Sequence, residues 1–338
     1  MKKALLVVLL ILLTAQLSYG GVKLYTKYKV PSGRPDIWWQ LHNYWWPPTG
    51  ITRPQKRQVP DSMPPAWLES PSSSELWEGF DGLAKYEKGP KLKSKAAFIY
   101  DVDRHQVLWA YNADARRPVA STTKLMGALT LMRLDAQLDD LVCLNGEEKP
   151  DLSGAKSKFK KGSCTYGWDF LGAALLSSDN GAAMAFPGLV GMTHEPFAEQ
   201  MNQVASELGM SMSSFVDPAG LSDDNLSTAR DMTRAVLAAS LLPEVARVAS
   251  ASSWWLRYDD KKDRRQIFST NRFRDRKDID ILAVKTGYTH TARHCLTMIY
   301  QSKKGRTIAF TQLGAFWDSG RWKDAAAILT WVDELPSD

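Results

Sequence analysis

Three short polar constellations in this sequence could do covalent chemistry together. Ser121-Thr-Thr-Lys124 sets a hydroxyl and an amine three residues apart. On a helix, positions i and i+3 share a face, so the amine reaches the hydroxyl. A buried lysine can lose its proton near neutral pH and serve that hydroxyl as a base. The same spacing recurs at Ser153–Lys156 and Ser157–Lys160, but in a polar, lysine-rich stretch where an amine stays solvated and charged. Only Ser121 opens an apolar helix. Ser178-Asp179-Asn180 interrupts a second apolar stretch, where polar side chains are costly unless they line a cleft. The Ser178 hydroxyl would relay a proton there, and the Asn180 amide would hold a peptide. Ser269-Thr270-Asn271 repeats that spacing in a β-prone stretch without helical context and reads as structural. Lys285-Thr286-Gly287 occurs once, directly behind a short apolar run. Its amine, hydroxyl and exposed glycine backbone would form a carboxylate-binding rim at a strand edge.

The elements that must position these groups are legible from periodicity. Ala96–Tyr100 and Gln106–Tyr111 are short β-prone runs around a polar turn, a hairpin pattern. Leu125–Leu134 is apolar nearly all round and predicts a buried helix. A further helical stretch runs from Trp168 to Met184, broken at Ser177–Gly181. Glu195–Leu208 and Thr228–Leu241 predict amphipathic helices. Ile281–Val284 predicts a buried strand, Cys295–Gln301 and Thr307–Leu313 a second hairpin, and Lys323–Leu335 a final helix. Strands at both ends and helices between them imply an α/β (α+β) fold.

In chain order, the three constellations match a catalytic set of serine penicillin-recognising enzymes. The chain from about Lys95 to Glu334 resembles the low-molecular-mass penicillin-binding proteins, the D-alanyl-D-alanine carboxypeptidases and endopeptidases. Further stretches share the likeness: Arg117-Pro-Val-Ala-Ser121, Phe215-Val-Asp-Pro-Ala-Gly-Leu221, Ser227-Thr-Ala-Arg-Asp231, and Lys285-Thr-Gly-Tyr-Thr289 followed by His294-Cys-Leu296. The endopeptidase branch is the most similar, since no β-rich extra domain or amphipathic anchor fits after the final helix. The resemblance implies a β-lactamase/DD-peptidase-like fold, an antiparallel sheet flanked by helices with a helical subdomain. It implies Ser121 as nucleophile, Lys124 as its base and Ser178 as proton relay. It also implies substrate contacts from Asn180, Lys285, Thr286 and Gly287, with the N–H groups of Ser121 and Tyr288 as oxyanion hole. Peptidoglycan peptides would be substrates and β-lactams covalent inhibitors, with no cofactor and no metal. One departure is Ala292-Arg293, where the family usually has Ala-Gly; it bears on substrate preference at the rim. A class A β-lactamase shares the three motifs but needs a glutamate after the second, and Ser213–Leu221 has none. An inactive wall-binding protein of the same fold would have lost a motif residue, and none is lost.

Lys2-Lys3, an apolar run from Ala4 to Leu13, and small residues at Ser18 and Gly20 read as a secretory signal over 1–20. The run is short for a span of about 20 residues, although an uncleaved anchor is the alternative. An exported, periplasmic or cell-envelope location follows. Residues 21–90 read as an extended Trp- and Pro-rich arm, and 91–338 as the catalytic domain. The arm holds six of the 13 tryptophans. At least two of Trp38, Trp39, Trp45 and Trp46 are expected to bury against residues beyond Lys95; sugar or partner binding is the alternative. The three cysteines leave at least one unpaired. Val142-Cys143-Leu144 and Ser163-Cys164-Thr165 read as short antiparallel strands, so a Cys143–Cys164 disulfide is expected, with Cys295 free and buried. His290 and His294 read as a surface and a structural histidine, not metal ligands. The net charge of +6 favours at most a weak wall or membrane association, and nothing resembles a nucleic-acid-binding module.

Overall fold

The computed structural model describes residues 77–143, 157–159, 162, 164–257 and 264–336. The signal segment, Trp38, Trp39, Trp45, Trp46, Ser153, Lys156 and Lys160 lie outside the described residues. The centre is a five-stranded antiparallel sheet of order β2-β1-β11-β10-β9. Its strands are β1 (Ala96–Asp101), β2 (Gln106–Tyr111), β9 (Ile279–Thr289), β10 (Arg293–Ser302) and β11 (Thr307–Ala315). Strand β1 pairs with β11 in the register Ala96↔Leu313, so the two ends of the chain build the sheet jointly.

Alternation along each strand feeds two cores, one per face. Phe98 and Tyr100 enter one core, while Ile99 enters the other with Leu108, Met298 and Phe310. The second face is covered by the terminal helix α8 (Asp318–Glu334), through Ile328, Leu329 and Val332. The first face carries the helical part: α1 (Lys124–Arg133), α2 (Gly167–Leu176), α3 (Asn180–Met184), α4 (Phe186–Leu189), α5 (His194–Glu207), α6 (Ala229–Leu241) and α7 (Pro243–Ser250). Two-stranded ribbons complete it: β3 (Arg117–Pro118) with β6 (Leu226–Ser227), β4 (Leu141–Cys143) with β5 (Cys164–Tyr166), and β7 (Ser253–Arg257) with β8 (Arg264–Phe268). This is the architecture expected from the sequence.

Three details differ from expectation. Helix α6 is buried nearly all round, not amphipathic, because it lies between the sheet and the other helices. Its polar side chains are paired. Thr228 caps it by accepting from the Asp231 N–H, Asp231 accepts from Ser213 Oγ, and Arg234 pairs with Asp81. Helix α8 starts at Asp318 rather than near Lys323. Phe80, within the segment read as an arm, is fully buried in the first core, with Trp77 edge-on to it. The packed unit therefore takes in residues before 91.

Candidate active site

The site forms where the 3-10 turn Ala120–Thr123, the start of α3 and strand β9 converge. Ribbon β3–β6 and the bond from Val119 N–H to the Asn225 carbonyl fix the approach to Ser121. Ala120 then adopts φ 49°, and Ser178 adopts φ 59°. Such left-handed conformations cost non-glycine residues of order 1–3 kcal/mol each. Both strained residues sit at the motifs expected to do chemistry.

Lys124 is fully buried at the start of α1. Its Nζ lies 2.8 Å from Ser121 Oγ, 2.7 Å from Asn180 Oδ1 and 2.6 Å from the Ala219 carbonyl. The two carbonyl oxygens can only accept, so they engage two N–H groups. A neutral amine then turns its lone pair to the Ser121 hydroxyl. Burial lowers the Lys124 pKa to about 7, against the opposing pull of Asp217 and Asp179. A neutral amine is thus available near neutrality.

Asp217 builds the loop that supplies the Ala219 carbonyl. Its carboxylate accepts from the N–H groups of Ala219, Gly220, Leu221 and Ser222 and from the Asn225 amide. Gly220 has φ 73°, and a Cβ there would stand 1.9 Å from the Ala120 carbonyl oxygen. Only glycine permits this approach.

Asp179 supports the second motif. It caps α3 by accepting from the Ala182 N–H, and it accepts from Ser157 Oγ and the Lys158 N–H. Ser157, which opens one of the repeats of the Ser-x-x-Lys spacing, therefore braces the site from the neighbouring loop. Cys143 and Cys164 stand opposite each other on β4 and β5, Cα atoms 3.9 Å apart, joined in a disulfide that closes that loop. Cys295 is free and buried, and burial pushes its thiol up to about 11.

The third motif lies on the outer strand, β9. Lys285 Nζ donates to Ser178 Oγ at 2.9 Å and to the Thr286 carbonyl at 2.8 Å. Burial holds its pKa well below the lysine range, with Lys124 and Arg321 adding repulsion. At Gly287, a Cβ would meet the Val119 carbonyl at 2.9 Å and Ser121 N at 3.2 Å, so the strand passes directly beside the Ser121 N–H. Buried Arg321 donates to the carbonyls of Gly287 and Cys295, tying this part of β9 and β10 to α8. Tyr288 is exposed and stacks on His294 at 4.3 Å. His290 is exposed. Arg293 has φ 61°, where glycine would be unstrained, and its guanidinium sits over the Phe316 ring at 5.0 Å. Among the described residues, no group of three or more metal-ligating side chains forms.

One face thus assembles Ser121, Lys124, Ser178, Asn180, Lys285 and Gly287 from three separated segments. A family model for D-alanyl-D-alanine carboxypeptidase matches residues 84–316. The chain belongs to the D-alanyl-D-alanine carboxypeptidase family. It is a serine peptidase and a hydrolase. A D-alanyl-D-alanine endopeptidase of Escherichia coli is 30% identical over 244 residues, covering 72% of this chain and 78% of that protein. The Pseudomonas aeruginosa endopeptidase is 30% identical over 243 residues, with the same coverage of 72% and 78%. A carboxypeptidase of the family from Bacillus subtilis is 30% identical over 226 residues, covering 64% of this chain and 56% of the relative. The fold is that of a D-alanyl-D-alanine carboxypeptidase from Mycobacterium tuberculosis, with TM-score 0.66, 23% identity, and 76% and 96% of the two chains covered. A Streptomyces DD-transpeptidase shares it with TM-score 0.65 at 22% identity, over 73% of this chain and all of the other.

Sequence reasoning about this family member did not find Arg321, and it left Asp217 and Asp179 inside motifs without roles. Arg321 carried no signal beyond a cation near the terminal helix. Asp217, followed by Pro and Ala-Gly, is a loop-forming pattern that could have been recognised.

Proposed function

We propose that this chain is an exported DD-peptidase that hydrolyses D-alanyl bonds of peptidoglycan peptides, with the cross-link endopeptidase reaction as its main activity. The observation that carries this is the Lys124 amine, 2.8 Å from Ser121 Oγ and turned to it by two carbonyl acceptors. Neutral Lys124 takes the Ser121 proton as Oγ attacks the D-alanyl carbonyl. The N–H groups of Ser121 and Tyr288 hold the oxyanion, each such donor being worth about 10²–10³ in rate. Collapse gives an acyl-enzyme and releases the amine, which takes its proton from Ser178 as the Lys124 ammonium returns one to Ser178, so that Lys124 is neutral again for the second step. Lys285 holds Ser178 in place by donating to its Oγ. Water then completes hydrolysis by the reverse proton path. Asn180 binds the substrate backbone, and Lys285 with Thr286 receives the leaving group's carboxylate. β-Lactams acylate the same serine. The named endopeptidase relatives support the cross-link preference. The basic, apolar N-terminal pattern and the paired cysteines support export to the cell envelope.

Labelled benzylpenicillin should attach to the protein and be lost in Ser121→Ala, while Ser157→Ala and Ser153→Ala retain it. Labelling that persists in Ser121→Ala would overturn the assignment. Purified cross-linked muropeptide dimers should be cleaved faster than pentapeptide monomers; the opposite ranking would make this a carboxypeptidase.

A further inference from the structure

The turn after β8 repeats the Ser-x-Asn spacing. Ser269 and Asn271 are buried and hold the turn: Asn271 N–H donates to Ser269 Oγ, Asn271 Oδ1 accepts from the Phe273 N–H, and Arg274 donates to the Ser269 carbonyl. Between them Thr270 is exposed. Its N–H donates to the Leu176 carbonyl at 2.9 Å, just before the second motif, and its Oγ1 lies 2.7 Å from Thr286 Oγ1 in the third. The two hydroxyls hold two protons. One is spent within the pair, which leaves one donor for a ligand, polarised by its neighbour. Thr286 is only 5% exposed, so the outer hydroxyl of the pair is that of Thr270.

We propose that Thr270 is a substrate-binding residue, whose hydroxyl accepts from Thr286 and donates to the carboxylate beside Lys285, and so helps select substrates with a carboxylate on the leaving group. The assignment rests on the DD-peptidase reading given above. Its backbone is fixed on both sides, so little freedom is lost on binding. Hydrogen bonds to a charged acceptor are strong enough for loss of this one to cost about 10-fold in binding.

The test compares two acylating substrates that differ only there: an N-acyl-D-alanyl thioglycolate, with a carboxylate on the leaving group, and the matching S-ethyl thioester, without one. Thr270→Val should lower kcat/KM for the thioglycolate about 10-fold, mainly through KM, and change the ethyl thioester less than about twofold. Thr270→Ser, which keeps the hydroxyl, should restore the wild-type ratio. Equal losses on both substrates would make Thr270 a structural prop of β9 and overturn the proposal, as would no loss on either. Ser121→Ala serves as the control on the underlying reading: turnover of either thioester by that variant would sink the DD-peptidase mechanism itself, whatever Thr270 does.

Discussion

Lys124 and Lys285 are both buried and repel each other when both are charged. Lys124 has its pKa lowered to about 7 by burial. The base form is the neutral one, so penicillin acylation should rise about tenfold per pH unit below 7 and level off above it. Stopped-flow acylation across pH 5–9 checks this; a flat profile would remove Lys124 as the base. Lys124→Arg keeps a cation that cannot deprotonate and should slow acylation about 10²–10⁴-fold. The same shift bears on stability. Between about 7 and the ordinary lysine value of 10.5, the unfolded chain binds a proton here that the folded chain does not. This group's contribution therefore favours folding increasingly as pH rises through that window. Lys285 is held low by burial and by neighbouring cations. An anionic ligand beside it would reverse that repulsion and draw a proton on. Binding of benzylpenicillin to the Ser121→Ala protein should thus take up a proton, seen calorimetrically as a binding heat that varies with buffer ionisation enthalpy. Identical heats in phosphate and Tris would rule this out.

Elements that pack on themselves or on one face were legible in the sequence, and elements that exist by pairing were not. Helix α1 announced itself because apolar residues surround it, and β1, β2, β10 and β11 because they are short, apolar and β-branched or aromatic. Of the β7–β8 ribbon only a β-prone stretch around Ser269 was legible, not the pairing: Ser253-Trp-Trp-Leu-Arg and Arg-Arg-Gln-Ile-Phe have no clean alternation and become strands through each other. Helix α7 had a readable start signal in Pro243 at its first turn. In the site, the motif residues could be found by spacing, but the bond from Lys124 to the Ala219 carbonyl spans 95 positions, and no local pattern records it. The cysteine-closed loop shows what such distant support does. It anchors Ser157 and the Lys158 N–H on Asp179, at the cap of α3. Replacing Cys143 and Cys164 together by Ser should cost about 3 kcal/mol in denaturant unfolding, as expected for a loop with 21 residues of separation. Penicillin acylation should also slow, since Asn180 loses its brace. An unchanged unfolding midpoint under reducing and oxidising conditions would show that the bridge does not form.

On the scale of the molecule, the sheet joins strands that are far apart in sequence. Strand β1 pairs with β11 and not with any strand in the first half of the chain apart from β2. More than 200 residues separate Ala96 from its partner Leu313. A sheet closed by such distant contacts pays loop entropy before it gains contacts, so it forms slowly and late. Nothing in the fold shelters Cys295 before β10 is seated, so during oxidative refolding its thiol is expected to compete with Cys143 and Cys164 for the same bond. The finished fold hides this competition by burying Cys295 completely. Its trace should survive in the kinetics of maturation: oxidative refolding of the reduced chain should pass through mispaired species involving Cys295. Cys295→Ala should therefore reach the native Cys143–Cys164 pairing faster and in higher yield, despite losing a buried side chain. Equal refolding rates for the two proteins would mean that the ribbon β4–β5 locks its own cysteines before the ends of the chain meet.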